Sequence, residues 1–226
     1  MKQKIKTIVK SNKFLHTISR HMLILKERVR SPILGKNNVV INKGVLLKVR
    51  FDVVGDNNLI EIGKCSVLSN MMIYIRGNNH ILKIAENCYY NGGSVWFEDN
   101  SCQVEIGNKT TIESAHLAVT EPNRKIIIGQ DCMLSGEIEF RTGDSHSIID
   151  NNTKKRINMA KNIEVGDHVW IGARSIILKG VNIGHNSIVG TNSIVTKNIP
   201  SHSVAAGIPA KVIRTNIDWD RERIYE

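Results

Sequence analysis

The sequence predicts an all-β fold, a left-handed parallel β-helix, and three observations carry the prediction. Residues 165–200 repeat with a period of six, residues 62–140 repeat with a period of 22, and the composition is 41% hydrophobic but only 5% aromatic. The solenoid is expected to carry an N-terminal amphipathic α-helix, a protruding loop at about 142–161 and a short C-terminal helix. The organisation is therefore 1–30 as a basic amphipathic helix, 31–215 as the β-helical domain and 216–226 as a C-terminal tail.

In residues 1–30, Ile5, Ile8, Val9, Leu15, Ile18, Met22, Leu25 and Val29 fall at helical spacing, and Ser31-Pro32 ends the pattern. Ile41 and Leu47 read as a degraded first coil. Next come Ile62-Gly63, Ile84-Ala85, Ile106-Gly107 and Ile128-Gly129, spaced by 22. Leu68, Tyr90, Ile112 and Leu134 follow six residues later as inward candidates, and Tyr74, Trp96, Ala118 and Phe140 six after those. The four extra residues per coil fall on turn formers at 55–58, 77–80, 99–102 and 121–124, which predicts one enlarged corner. From Phe140 to Val165 the rhythm breaks, and the polar, basic stretch 142–161 is expected to jut out.

The hexads then run Val165, Ile171, Ile177, Ile183, Val189, Val195, with Gly next in four of the six. Val169, Ser175, Val181, Ser187, Ser193 and Ile199 follow four residues after each aliphatic. This period is the hexapeptide signature of a parallel β-helix: the aliphatic stacks inward on its counterpart one coil away, and the second residue sits near a tight corner. Handedness follows from the pattern and runs against the usual crossover rule. After Pro200 the chain leaves the repeat, and 218–225 is expected to be helical.

The formal net charge of +10 is local. Residues 1–30 hold nine Lys/Arg against one acid, Glu27, while the remainder holds 22 basic and 20 acidic groups. A nucleic-acid-binding face on the body is therefore not supported. The longest apolar run near the N-terminus, residues 22–25, is far short of a span or a secretory leader, so a cytoplasmic protein is expected. Cys65, Cys88, Cys102 and Cys132 form no Cys-x-x-Cys, which favours buried structural thiols over a metal or redox motif; Cys88 and Cys132 fall in corner slots. No zinc-like histidine spacing is visible, so no metal is expected. His116 reads as a structural corner histidine, and His80, His168, His185 and His202 as surface residues.

Residues 128–214 resemble the hexapeptide-repeat acyltransferases, specifically bacterial sugar and polysaccharide O-acetyltransferases. The resemblance rests on DSHSI at 144–148, IEVGDHVWIGARSIILKGVNIGHNSIVGTNSIVTKNIP at 163–200 and AAGIPAKVIR at 205–214. It implies His146 as the catalytic base, in keeping with the chemistry: a sugar hydroxyl needs a base within reach, and histidine titrates in the right range. Asp144, two residues earlier, reads either as the carboxylate that orients the imidazole or as a turn-forming Asp. Glu137 and Glu139 are alternatives for that role, and Glu113, Ser114, His116 and Glu121 for contact with an acceptor.

The resemblance further implies that Trp170 lines the thioester site and that the backbone of Ala173 meets the pantetheine arm. Thr191, Thr196 and Lys197 match the acetyl-CoA wall, and Lys211 with Arg214 the cationic pair near the nucleotide phosphates. It implies acetyl-CoA as co-substrate, a homotrimer with sites between subunits, and a capsular, surface or sialic-acid-type glycan as acceptor. A small acceptor (free sugar, nucleotide-sugar amine or serine) and a non-catalytic β-helical scaffold remain alternatives. Residues 1–30 read either as a cap on the solenoid or as a contact with the anionic inner face of a membrane.

Overall fold

A computed structural model describes residues 33–225. The predicted N-terminal helix lies outside the described residues. The chain winds as a parallel β-solenoid of triangular section, and no helix occurs among the described residues. Three faces recur in chain order. Face C is a seven-stranded parallel sheet running from Val39–Asn42 to Asn182–Ile183. Face A includes Thr111–Ile112, Met133–Leu134, Trp170–Ile171 and Ile188–Val189. Face B includes Ala115–Val119, Ile138–Arg141, Ile176–Leu178 and Ile194–Val195. In earlier coils a single long strand, such as Val67–Arg76 or Tyr89–Phe97, bends round the A–B corner.

The periodic aliphatics form the core as the pattern requires. Val165, Ile171, Ile177, Ile183, Val189 and Val195 are all buried, and so are Ile62, Ile84, Ile106 and Ile128 upstream. Each backbone strand pairs with the coils before and after it, so edges remain only at the two ends. The small corner residues are buried and bonded: Ser175 Oγ donates to Gly190 O at 3.0 Å and Ser187 Oγ to Pro200 O at 2.8 Å. Cys88, Cys102 and Cys132 are buried at corners, whereas Cys65 is exposed.

The enlarged B–C corner is a ladder of left-handed residues. Asn57 (φ 58°) and Asn79 (φ 59°) adopt a conformation that Asn tolerates, and Asn78 Nδ2 donates to Asn100 Oδ1 at 3.1 Å one coil on. Gly55 (φ 137°) is required there, because a Cβ would stand 1.9 Å from the Gly77 carbonyl oxygen.

Four sequence expectations need correction. On face B the inward column is Ile73, Val95, Leu117 and Phe140, so Tyr74 and Trp96 point outward. One extra residue at the A–B corner before Ile138 makes the spacing Leu117 to Phe140 23 rather than 22. With a side-chain period of two, a one-residue shift reverses the face. The outward Tyr74 and Trp96 stack on each other, centroids 3.6 Å apart. In the first coil Ile41 pairs with Glu61 and is exposed, while Leu46, not Leu47, packs on the core.

Residues 218–225 are not helical. Eight residues are too few for an autonomous helix, and here the side chains bind the solenoid instead: Trp219 Nε1 donates to His168 O and Arg221 Nε to Asp131 Oδ1. The histidines also differ. His80 is fully buried in the enlarged corner, its Nδ1 accepting from Cys102 N–H at 3.2 Å, and burial lowers its pKa. His116 lies on face B rather than at a corner, its Nδ1 2.5 Å from Ser94 Oγ. His168 is half-buried and bonded on both ring nitrogens. His185 and His202 are exposed, as the sequence suggested.

Candidate active site

The insertion leaves the solenoid at the B–C corner after Arg141 and rejoins it at Ile163. Its base is latched by Thr142, which is fully buried. Thr142 Oγ1 accepts from Thr120 N–H at 3.0 Å and donates to Thr120 O at 3.1 Å, so the coil before supplies both partners. Across the neck, Lys161 N–H donates to Thr142 O at 2.9 Å. Further out the loop folds back as a small hairpin: Ile149 bridges Arg156, and Ile157 N–H donates to Ile148 O at 2.9 Å.

Asn158 organises the segment that bears His146. Its side chain is 8% exposed and uses both ends. Nδ2 donates to His146 O at 2.7 Å and to Asp144 Oδ2 at 2.8 Å. Oδ1 accepts from Ile148 N–H at 2.7 Å and from Arg156 Nε at 3.1 Å. His146 N–H also donates to Asp144 O at 2.7 Å across Ser145 (φ 63°), a tight turn. The backbone of His146 is thus held on both sides. Its imidazole is exposed and makes no hydrogen bond to another described residue.

The Asp144 carboxylate does not meet the His146 ring. It pairs with Lys179, one coil on at the same corner, and with Asn158. The Lys179 ammonium is the main reason its pKa is lowered, with Asn158 adding and partial burial opposing. Lys179 Nζ also donates to Asn158 O at 3.0 Å. Beside it, Glu121 pairs with Arg156 and accepts from Ala160 N–H at 3.2 Å. Burial opposes ionisation of Glu121, but these two donors outweigh it and hold its pKa down.

Glu121 was expected as an acceptor contact; here it anchors the loop. Asn158, Arg156 and Lys179 escaped sequence reasoning, although Lys179 stands at the corner directly beneath the insertion, where a hexad corner needs no charge. Glu137 pairs with Arg174 and Glu139 with Arg141, both away from His146.

The other expected site residues lie at separate places on the prism. Thr196 and Lys197 share the B–C corner with His146, one coil beyond Lys179. Ala173 and Thr191 stack at the A–B corner, where Asn192 N–H donates to Ala173 O at 2.9 Å. Trp170 stands outward on face A, in register with Met133 and Ile188, and is 36% exposed. Lys211 and Arg214 are exposed on the antiparallel strand Ala210–Thr215 that extends face A. A single chain therefore does not bring His146, Trp170 and Ala173 together.

Comparisons with known proteins agree with this architecture. Residues 162–197 match the hexapeptide repeat of succinyl-transferase. The chain is 38% identical over 175 residues to a polysialic acid O-acetyltransferase of Neisseria meningitidis, covering 76% of this chain and 80% of that protein. It is 42% identical over 119 residues to a polysialic acid O-acetyltransferase of Escherichia coli O1:K1, covering 53% of this chain but only 38% of that protein. The crystal structure of the polysialic acid O-acetyltransferase OatWY superposes with a TM-score of 0.80 at 34% identity, covering 86% of this chain and 93% of that one.

Proposed function

The chain belongs to the hexapeptide-repeat acyltransferases and is an acetyltransferase, and we propose that it moves an acetyl group from acetyl-CoA to a hydroxyl of a polysialic-acid-type polysaccharide. The observation that carries the reading is the pinned loop. Asn158, the Asp144–Lys179 pair and the Glu121–Arg156 pair fix the backbone of His146 while leaving its imidazole free to meet a substrate.

In this reading the imidazole takes the proton of the acceptor hydroxyl as the oxygen attacks the thioester carbonyl, and then returns it to the departing thiolate. No carboxylate among the described residues touches the ring. The two hydrogen bonds on the His146 backbone fix where the residue stands, and the ring itself is left to be oriented by the substrate. No nucleophilic serine or cysteine is needed, and transfer is direct. Lys211 and Arg214 carry the charge to receive the phosphates of coenzyme A. His146 lies at the B–C corner while Trp170 and Ala173 lie on face A and at the A–B corner, and this separation supports a reading in which the site is completed between two copies, within a homotrimer. We place the reaction in the cytoplasm, where acetyl-CoA is made.

An acceptor panel tests the reading by thiol release from acetyl-CoA. Polysialic acid is expected to stimulate release at least about tenfold more than free sialic acid, a galactoside or serine, a gap of ~1.4 kcal/mol in transition-state binding. Equal stimulation by a monomer would favour a small acceptor. No stimulation by any of them, together with no coenzyme A binding by calorimetry, would favour a silent scaffold.

A further inference from the structure

The tail after Thr215 folds back across the C–A corner and buries one large residue. Trp219 is 9% exposed, although the residues on either side of it are exposed. Its indole stacks on the His168 ring, centroids 4.1 Å apart and planes 8° apart, and its Nε1 donates to His168 O at 2.8 Å. Two residues on, Arg221 reaches Asp131 Oδ1 at 3.1 Å, Thr111 Oγ1 at 3.0 Å and Cys132 O at 3.0 Å. Ile217 N–H joins His202 O at 3.1 Å. On its other side Trp219 lies 6.1 Å from Trp170, centroid to centroid.

The contacts of His168 set the chemistry of this strap. Nδ1 lies 2.8 Å from Asp131 Oδ2 and Nε2 lies 2.8 Å from Trp219 O. A carboxylate and a carbonyl can only accept here, so both bonds exist together only when the ring carries two protons. We propose that residues 216–221 form a proton-dependent clasp: with His168 as imidazolium, Trp219 is locked beside Trp170, and loss of one proton releases one of the two bonds and loosens it. Trp219, His168 and Arg221 are then positioning residues for Trp170. That consequence for activity rests on the reading of Trp170 as part of the donor site.

The surrounding charges favour this state. Asp131 faces Nδ1, Asp218 Oδ1 stands 3.7 Å from Nε2, and Arg221 offsets part of that negative charge from beyond Asp131. Asp167 and Lys109 line the adjoining cavity of about 610 Å³, which His168 also lines. Burial opposes the charged ring, but the Trp219 carbonyl and Asp131 outweigh it, and the His168 pKa is raised. With a raised folded value, the clasp is complete below the ordinary histidine range and weakens as pH rises through the folded value.

The test uses the full chain and its tryptophan emission from about pH 5.5 to 9. An imidazolium stacked on an indole quenches it, so emission should rise as His168 loses its proton, with a midpoint above that of an ordinary histidine. The transition should vanish in Trp219→Phe and in His168→Gln, both of which keep a planar or polar group in place and so favour folding. In parallel, KM for acetyl-CoA should rise about tenfold across the same midpoint, the weight of one hydrogen bond to a charged partner, with kcat little changed. A wild-type emission curve without the transition, or one unchanged in His168→Gln, overturns the clasp. A transition that leaves KM flat upholds the clasp and overturns instead the place of Trp170 at the donor site.

Discussion

Replacing Asn158 by Ala is expected to disable catalysis while leaving the solenoid intact. The side chain makes four hydrogen bonds, two to neutral backbone groups and two to the charged Asp144 and Arg156. At ~1 kcal/mol for each neutral bond and ~1.5 for each charged one, the gross value is about 5 kcal/mol. These bonds share one network, and water will replace some of them, so about 2–3 kcal/mol should be lost from the loop's own equilibrium. That corresponds to about 30- to 150-fold less of the pinned state, and kcat for acetyl transfer to the polymer should fall by a similar factor. The core columns and the Lys161–Thr142 neck are untouched, so Tm should drop by less than ~3 °C. Thiol-release kinetics and calorimetry on the same preparation read both effects. A kcat within about threefold of wild type would refute the claim that this network holds His146 in place.

Phe97→Ala should cost ~3–5 kcal/mol by leaving a cavity, whereas Trp96→Ala, one residue away but outward, should cost ~1 kcal/mol; urea unfolding separates the two. Gly55→Ala should abolish soluble expression or lower Tm steeply, because the new Cβ would collide with the Gly77 carbonyl, which has no room to move. Native titration with a thiol reagent should label Cys65 alone at early times, since burial raises the Cys102 pKa to about 11 and the Cys132 pKa to about 12; fast reaction of a second thiol would contradict the core. The Asp144–Lys179 pair should weaken only in acid. A carboxylate with a lowered folded pKa contributes above its unfolded value and loses that contribution as pH falls through the folded value, so activity lost through this pair should go below about pH 4 and recover on return to neutrality.

Much of the fold was legible because stacking forces each coil to repeat. The columns through Ile62 and Leu68 could be followed residue by residue, since a parallel ladder keeps register until a residue is inserted. Face B was misread because one extra residue at the corner before Ile138 shifts the count and exchanges inside for outside. Trp96 looked like core by the count of six, yet an outward aromatic can gain its packing from Tyr74 in the preceding coil. The tail was misread as helix because its partners, Asp131 and His168, are about 50 to 90 residues away in sequence and adjacent only after the coils are wound.

The inserted loop was legible as an interruption, and His146 as its candidate base. What fixes His146 was not. Asp144 was a natural orienting acid by proximity in sequence, but a lysine one coil on holds its carboxylate. Solenoid winding brings Lys179, 35 residues later, to the same corner. Asn158 carries no signal until the loop is seen to fold back on itself.

The central claim is that His146 is the base for acetyl transfer. Its most direct measurement is the turnover of His146→Ala with acetyl-CoA and polysialic acid, beside its melting temperature. The imidazole makes no hydrogen bond to another described residue, so Tm should be unchanged while kcat falls ~10²–10⁴-fold. A folded His146→Ala protein that turns over within about tenfold of wild type would contradict it.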